Sequence, residues 1–354
     1  MKIAILLVGY GHVASRFVQL LEESRHALSA LSIEPVIVGV ATRRHGFAFD
    51  AAGLSLAHIP AALRGGTAPP SSLRFIADSL ARLPRGMTPV LIETTTLDIE
   101  SGEPAISHVR AGLAGGAHVI TANKGPVAFA YRALADEAAA AGRAFLFEGA
   151  VMDGIPIFNM VRETMPAVTV TNFRGVVNST TNYMLTSMER GEAFEAALAR
   201  MQEAGVAEAD PSLDLDGWDA AAKAAVLANV LLDAETTPRR VAREGIGPST
   251  VGRVIEARAR GCRLKLVASG SGRGQAAVVS VSLEELRADD PLAILDGQAN
   301  ALELDTWPLG RIVITQRDGG LEKTAYALLT DLVTVARRVR AAAGTSAGGT
   351  SIDQ

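Results

Sequence analysis

The chain has 354 residues and a net charge of −4, and it contains no block of lysine and arginine, so a nucleic-acid partner is not expected. Its apolar runs are shorter than the roughly 20 residues that span a membrane, and the N-terminal stretch meets glycines too early for a signal peptide. Its one cysteine, Cys262, excludes an internal disulfide and a cysteine-based metal site. We therefore expect a cytoplasmic protein, and the length favours two domains.

The N-terminus combines a strand, a glycine turn and a helix. The apolar run Lys2–Val8 is followed by Gly9 and Gly11, and apolar residues then recur with a helical period. This order matches the G-x-G-x-x-G/A pattern, in which the glycines let the backbone approach a pyrophosphate at the helix N-terminus. Gly9, Gly11, His12 and Val13 are therefore candidate cofactor-binding residues. The alternative is a glycine turn in an α/β fold that binds no nucleotide.

The second predicted strand, residues 36–41, is followed by Arg43 and Arg44. Enzymes that bind NAD usually place an acid at the end of this strand to hold the ribose 2′-hydroxyl. No aspartate or glutamate occurs in residues 36–48. Because an arginine suits a 2′-phosphate, the sequence favours NADP(H) over NAD(H), unless both arginines are only exposed loop charges.

Strands and helices alternate up to residue 148. Further strands are predicted at residues 90–93, 118–122 and 144–148, and helices at residues 72–83, 103–114 and 126–141. Such alternation is typical of a Rossmann-type, doubly wound parallel sheet, whose strands end at the cofactor cleft. Thr94 and Thr95 follow one strand and Lys124 follows the next, so we expect them beside the nicotinamide and the substrate. The alternatives are threonines that merely finish a strand and a lysine on the surface.

The pattern changes after residue 148. Strands are predicted at residues 168–177, 263–268, 276–282, 298–304 and 311–316, and helices at residues 180–189, 193–205, 217–232, near Val254 and at 322–340. Strands gathered with helices predict a separate α+β domain. The Gly/Ser/Ala-rich residues 342–354 are expected to form a flexible tail.

An acidic cluster in the second half leads into a helix that carries a lysine. Glu208 and Asp214 precede Asp219, and Lys223 follows Asp219 by four residues, so the last two share a helix face. The other residues of this helix are nearly all apolar. The pair either projects into a polar site or forms an ordinary solvated ion pair, which contributes about 0.3–0.5 kcal/mol.

These motifs together resemble the homoserine dehydrogenase family, in its short form without a C-terminal regulatory domain. The matching segments span almost the whole chain, and they are GYGHVA at 9–14, SGEPAISHVRAGLAGGAHVITANKGPVA at 101–128, FEGAVMDGIPIFN at 147–159, GVVNSTTNYMLTSM at 175–188, EAGVAEADPSLDLDGWDAAAKAAVLAN at 203–229 and TAYALLTDL at 324–332. Two segments depart from the usual pattern, because residues 316–320 replace a glycine-rich turn and residues 149–153 contain less glycine.

The resemblance implies reversible reduction of L-aspartate 4-semialdehyde to L-homoserine with NAD(P)H, in threonine and methionine biosynthesis. It implies a discontinuous nucleotide domain, residues 1–148 and about 317–341. Residues 149–316 would form a substrate and dimerisation domain with a mixed sheet, and the protein would be a homodimer.

The resemblance also assigns site residues. Lys223 and Lys124 would flank the reacting carbonyl, and Asp219 and Glu208 would hold the substrate amino group and order the site. Asp214 and Thr180 would border the substrate. A structural sodium or potassium ion would be held mainly by backbone carbonyls, which are those of Glu148, Val151, Asp153 and Ile155.

The expected mechanism is direct hydride transfer to the aldehyde carbon with proton transfer by Lys223, assisted by Lys124. Burial beside another amine is expected to lower the pKa of Lys223. One alternative is aspartate-semialdehyde dehydrogenase, which needs a nucleophilic cysteine, whereas Cys262 begins an apolar strand far from the motifs. The other is a catalytically silent, NADP-binding regulatory protein.

Overall fold

A computed structural model describes residues 1–65, 71–203 and 210–347. Its first sheet has the strand order β3-β2-β1-β4-β5-β6. These strands are β1 (Lys2–Val8), β2 (Glu34–Thr42), β3 (Gly46–Phe49), β4 (Thr88–Glu93), β5 (His118–Thr121) and β6 (Phe145–Leu146). β1, β2, β4, β5 and β6 are parallel, which agrees with the predicted Rossmann-type fold.

The sequence analysis predicts a wholly parallel sheet, and this is wrong at one edge. β3 is absent from the predicted strands and runs antiparallel to β2. The hairpin closes through Thr42, whose hydroxyl donates to the backbone oxygen of Gly46 at 3.1 Å and accepts from the backbone N–H of His45 at 2.8 Å. Four residues are too few to show a clear strand period, so a periodic pattern cannot reveal this strand. The hairpin places Arg43 and Arg44 in its turn.

The helices of the first half lie between and beside these strands. They are α1 (His12–Glu23), α2 (Arg25–Ala30), α3 (Ile59–Gly65), α4 (Ser72–Ala81), α5 (Ala105–Ala114) and α6 (Lys124–Ala140). α6 is kinked at Ala130, whose φ of −142° and ψ of 21° are not helical.

The second sheet has the order β12-β11-β7-β9-β10-β8. Its strands are β7 (Thr169–Val176), β8 (Ala242–Arg243), β9 (Cys262–Ser271), β10 (Val278–Arg287), β11 (Asn300–Trp307) and β12 (Gly310–Gln316). All pairings are antiparallel except that of β8 with β10, so the predicted mixed sheet is confirmed. The accompanying helices are α7 (Ile157–Asn159), α8 (Ser179–Glu189), α9 (Phe194–Glu203), α10 (Ser212–Leu215), α11 (Trp218–Leu231) and α12 (Thr250–Ala259).

The two halves meet where α11 packs on α6. α11 is rich in alanine, so the helices approach closely and bury most of its length. Asn229 of α11 reaches the kink of α6, and its amide nitrogen donates to the carbonyls of Val127 at 3.1 Å and Ala128 at 3.3 Å. These two hydrogen bonds satisfy carbonyl groups near the kink and join the two helices that carry Lys124 and Lys223.

The last helix, α13 (Leu321–Ala347), returns to the first sheet. Its Leu328 and Leu332 share one apolar cluster with Ile3 and Ile5 of β1 and Phe17 of α1. The sequence predicts that this helix ends at residue 340, but the helix continues to residue 347, into the segment expected to be flexible. Ala341, Ala342 and Ala343 favour the first part of this extension. Residues 348–354 lie outside the described part. No described helix is both long and apolar enough to cross a membrane.

Candidate active site

The glycine turn after β1 forms the floor of a cleft at the N-terminus of α1. Gly9 has a φ of +93°, and a Cβ there would lie 2.6 Å from the carbonyl of Thr94, so the turn itself requires glycine. A Cβ on Gly11 would meet no protein atom within 4 Å. The open space at Gly11 fits the close approach of a dinucleotide pyrophosphate to the helix N-terminus.

The cleft has a volume of about 600 Å³ and contains most of the predicted cofactor residues. Gly9, Gly11, Arg43, Arg44, Thr94 and Thr95 all line it. The two arginines are exposed, and within residues 1–65, 71–203 and 210–347 neither pairs with a carboxylate. Val13 lines the adjoining cavity, while His12 lines neither in the described chain.

A buried carboxylate that the sequence analysis missed organises the strand ends beside this cleft. Glu93, at the end of β4, accepts hydrogen bonds from the backbone N–H of Thr95 at 2.9 Å, from the Thr95 hydroxyl, and from the Thr121 hydroxyl at 3.0 Å. Asn123 donates to the carbonyl of Thr95 at 3.0 Å and caps α6, which begins at Lys124. Glu93 thus holds together the two loops that carry Thr95 and Lys124.

A smaller cavity of about 250 Å³ continues from the cleft and brings both halves of the molecule together. It is lined by Val13, Thr94, Thr95, Ala122, Asn123, Lys124, Gly149, Ala150, Val151, Asp153, Lys223 and Thr324. The two predicted lysines therefore meet at one cavity although they come from α6 and α11.

Asp219 lies between the two lysines. Its Oδ2 is 3.0 Å from Nζ of Lys223, and its Oδ1 is 3.3 Å from Nζ of Lys124. Lys223 also donates to the carbonyl of Val177 at 2.6 Å. An ammonium group has three protons, so these two acceptors leave one proton of Lys223 for the cavity that it lines. The alternative of a solvated surface pair is wrong, because the side chains of Lys223 and Asp219 are only 14% and 16% exposed.

The charges around Lys223 contradict the expectation that its pKa is lowered. Burial by itself opposes the charge of Lys223, but Asp219, Asp153 and Asp214 outweigh it and raise the pKa of Lys223. Burial likewise opposes ionisation of Asp219, yet Lys223, Lys124 and Asn178 lower the pKa of its carboxyl. The predicted lowering of the lysine pKa is therefore wrong, because it considered burial and the second amine without the bridging carboxylate.

A second carboxylate, Asp214 of α10, stands next to this group. Burial and the charge of Asp219 raise the pKa of Asp214, and hydrogen bonds from Asn178 and Thr180 partly counter that rise. The amide nitrogen of Asn178 lies 2.7 Å from Asp214 Oδ1 and 2.8 Å from Asp219 Oδ2. Asp214, Asp219 and Thr180 are thus neighbours, while Glu208 lies outside the described residues.

The predicted cation segment begins after β6. The buried carboxylate of Glu148 accepts from the backbone N–H groups of residues 158 and 159 at 2.8 and 2.6 Å. Asp153 accepts from the Thr324 hydroxyl and from the backbone N–H of Gly320, both at 3.0 Å. The described residues contain no cluster of three or more histidine, cysteine or acidic residues that could hold a metal. A cation there would depend on the backbone oxygens of Glu148, Val151, Asp153 and Ile155, and the last already accepts from the N–H of residue 157 at 2.9 Å.

Comparison with known proteins agrees with this arrangement. The family model for the NAD-binding domain of homoserine dehydrogenase matches residues 9–148, and the model for homoserine dehydrogenase matches residues 156–333. An NAD(+)-dependent homoserine dehydrogenase of Pseudomonas canavaninivorans is 33% identical over 93% of this chain and 95% of that protein. The chain belongs to the homoserine dehydrogenase family. A homoserine dehydrogenase of Methanocaldococcus jannaschii is likewise 33% identical, over 93% of this chain and 97% of its own length.

Solved homoserine dehydrogenases share the fold. The enzyme from Thiobacillus denitrificans superposes with a TM-score of 0.80 at 28% identity, covering 96% of this chain and 74% of that one. The Staphylococcus aureus homoserine dehydrogenase at pH 6.5 superposes with a TM-score of 0.74 at 27% identity, covering 95% of this chain and 77% of that one. The protein is thus an NAD(P)-dependent oxidoreductase that acts on a CH–OH group, as predicted. Cys262 begins β9, and its Sγ contacts the backbone oxygen of Arg260 at 3.9 Å, so it takes no part in the cavity.

Proposed function

We propose that this homoserine dehydrogenase interconverts L-aspartate 4-semialdehyde and L-homoserine in threonine and methionine biosynthesis, with proton transfer by Lys223. The observation that carries the proposal is the bridge from Asp219 to both Lys223 and Lys124 at the end of the cofactor cleft. A carbonyl oxygen that gains negative charge is stabilised by cations held nearby in a partly dry site. Two lysines fixed by one carboxylate provide that environment.

In the reducing direction, a bound reduced nicotinamide supplies the hydride that forms the new C–H bond. The carbonyl π electrons move to oxygen, where Lys223 donates the proton that completes the hydroxyl group. The raised pKa of Lys223 keeps it protonated at neutral pH, so it carries the proton that the developing alkoxide takes up. Lys124 adds a second positive charge beside the oxygen, and water returns the proton to Lys223 after the reaction.

The carboxylates of Asp214 and Asp219, next to the cavity-lining Lys223, would hold the amino group of the substrate. Asp214 and Asp219 share the Asn178 amide and lie next to Thr180, so their oxygens form one anionic patch. Charge-assisted hydrogen bonds from an ammonium group to such a patch are strong and directional. Glu208 remains a predicted member of this group.

We further propose that the enzyme prefers NADP(H) to NAD(H). Arg43 and Arg44 line the cofactor cleft without a carboxylate partner among the described residues, which leaves both guanidinium groups available to a 2′-phosphate. The relative from Pseudomonas canavaninivorans bears the name NAD(+)-dependent, so cofactor choice is the part of the proposal to test first. The homodimer, the cytoplasmic location and the bound sodium or potassium stay predictions from the resemblance.

The test is turnover by the purified protein with L-aspartate 4-semialdehyde and NADPH, in parallel with NADH and with a Lys223→Ala variant. We expect wild-type turnover, a kcat lower by about 10²–10³ in the variant, and a higher kcat/KM with NADPH. Binding of NADPH without any turnover would favour the silent regulatory protein. Equal rates in wild type and variant would remove Lys223 from the mechanism.

A further inference from the structure

Asn178 is a buried residue that contacts the carboxylates of both Asp214 and Asp219. Its amide nitrogen carries two protons, and it lies 2.7 Å from Asp214 Oδ1 and 2.8 Å from Asp219 Oδ2. Its amide oxygen is occupied as well, because it accepts from the backbone N–H of Thr181 at 2.8 Å and so caps α8. Every hydrogen-bonding position of this side chain except one oxygen lone pair therefore has a partner.

The two carboxylates need such a partner because they repel each other. Asp214 comes from α10 and Asp219 from α11, and both are removed from most of the solvent. Lys223 and Lys124 bond to Asp219, and neither has a described hydrogen bond to Asp214. A neutral amide can donate one proton to each carboxylate without adding a charge that would compete with the lysines or with a substrate ammonium group.

We propose that Asn178 is a positioning residue that holds Asp214 and Asp219 at a fixed separation as one binding site for the substrate ammonium group. This inference rests on the proposed function, since it concerns the two carboxylates that are proposed to hold the substrate ammonium group. The charged groups that face the two carboxylates are Lys223, Lys124 and, acting through Lys223, Asp153. Asn178 follows Val177, whose carbonyl accepts from Nζ of Lys223 at 2.6 Å.

The capping role of Asn178 can be separated from the proposed role by one substitution. Aspartate is as good an N-cap as asparagine. Asn178→Asp therefore keeps the acceptor for Thr181 and the shape of the side chain, but it replaces both N–H donors by a third negative charge. A purely structural role predicts little change in this variant, whereas the proposed role predicts a specific loss.

The experiment measures kcat and KM for homoserine and for the cofactor between pH 6 and 9, in wild type and Asn178→Asp. We expect kcat/KM for homoserine to fall by about 10- to 100-fold at pH 8, mainly through KM for homoserine, with the KM for the cofactor unchanged. The ratio of variant to wild type should increase as the pH falls, because the introduced carboxyl group can donate one hydrogen bond again once it is protonated.

Asn182 provides a matched control, one turn further along α8. It is also buried, and its amide donates to the backbone oxygens of Gly297 at 3.0 Å and Ala299 at 2.9 Å, away from both carboxylates. Its amide oxygen accepts from Nζ of the buried Lys265 at 2.7 Å, so Asn182→Asp places the new carboxylate beside a lysine and should leave the shape of the pH profile of kcat/KM as in wild type. A wild-type profile in Asn178→Asp, or a loss in it that is equal at every pH, would overturn the proposal.

A second readout does not require turnover. With three carboxylates close together, the melting temperature of Asn178→Asp should rise relative to wild type when the pH is lowered from 8 to 6, because protonation relieves the repulsion. The absence of such a relative rise would be evidence against the proposal. An inactive wild-type enzyme would instead refute the proposed function, and this thermal readout would still decide whether Asn178 holds the two carboxylates.

Discussion

The two ends of the active-site cleft are built on different principles. The cofactor end consists of a backbone turn at Gly9 and Gly11 and of the exposed residues Arg43 and Arg44. The substrate end consists of partly buried charged groups, in which Asp219 contacts two lysines and an amide at once. The groups at the cofactor end have few contacts with one another, whereas at the substrate end the charge and position of each group depend on its neighbours.

This difference has a consequence for substitution. Replacing an exposed arginine changes one contact with the ligand, and the effects of such changes are expected to add. Replacing one member of the charged group leaves its partners buried and unpaired, which costs more than the lost interaction itself. Cofactor preference should therefore be easy to alter, while the substrate end should tolerate little change.

The largest effect is expected for Asp219→Asn. This change leaves Lys223 and Lys124 without their shared carboxylate, so the free energy of unfolding should fall by about 3 kcal/mol and kcat by about 10²–10³. Urea denaturation and steady-state kinetics measure the two effects. Asp233→Asn is the matched control just beyond α11, where an exposed carboxylate pairs with Arg132 at 2.8 Å, and it should cost less than about 1 kcal/mol. Equal costs at the two positions would show that the burial of Asp219 does not make its ion pairs more important for stability than an exposed pair.

The pH dependence should also differ between the two reaction directions. In the proposed mechanism, oxidation of homoserine requires a neutral Lys223 to accept the hydroxyl proton, and the pKa of Lys223 is raised above its ordinary value of 10.5. The neutral fraction, and with it kcat/KM for oxidation, should rise about tenfold per pH unit through pH 9. Reduction needs the protonated lysine and should stay nearly constant over the same range. A plateau of the oxidation profile near pH 7 that persists in Lys223→Ala would contradict this assignment.

At the cofactor end, Gly9 and Gly11 should respond differently to alanine. Gly9→Ala places a Cβ against the Thr94 carbonyl at a positive φ, so it should lower the free energy of unfolding by about 1–3 kcal/mol. Gly11→Ala meets no protein atom and should unfold like wild type, but the new methyl group should weaken cofactor binding by about tenfold. Thermal unfolding and cofactor titration by fluorescence separate the two. Unimpaired binding in Gly11→Ala would show that the cofactor does not approach this turn.

The smallest effect is expected for the arginines. Arg43→Ala and Arg44→Ala should each lower the ratio of NADPH to NADH efficiency by about tenfold or less, because exposed charge pairs contribute modestly. Melting temperatures should not change, since neither side chain has an ion pair within the described residues. If the ratio is unaffected in the double variant, the preference for NADP(H) does not arise from these residues.

Local patterns predict much of this molecule. The spacing of Asp219 and Lys223 on a helix depends only on the helical period, and the glycine turn depends only on backbone conformation, so both follow from the sequence. The order of strands and helices in the first half is equally local in origin. Lys124 is assigned to the same site through the family resemblance, because its approach to Asp219 joins residues that are far apart in the sequence.

The unpredicted features all depend on contacts between distant segments. The strand pattern identifies Glu93 only as the last residue of a strand, although its carboxylate joins the loops of Thr95 and Lys124. Asn178 stands in a recognisable N-cap position before Ser179, which is a usable signal for capping but not for its contacts with two carboxylates. The direction of the Lys223 pKa depends on which charge lies closest, and that distance is a property of the folded chain.

The return of α13 to the first sheet affects how the protein is made. Leu328 and Leu332 are synthesised more than 300 residues after their partners Ile3, Ile5 and Phe17. At translation rates of about 5–20 residues per second, this apolar surface waits on the order of ten seconds or more for its cover. Until α13 is made, this face of β1 and α1 lacks the apolar cover that it has in the folded protein.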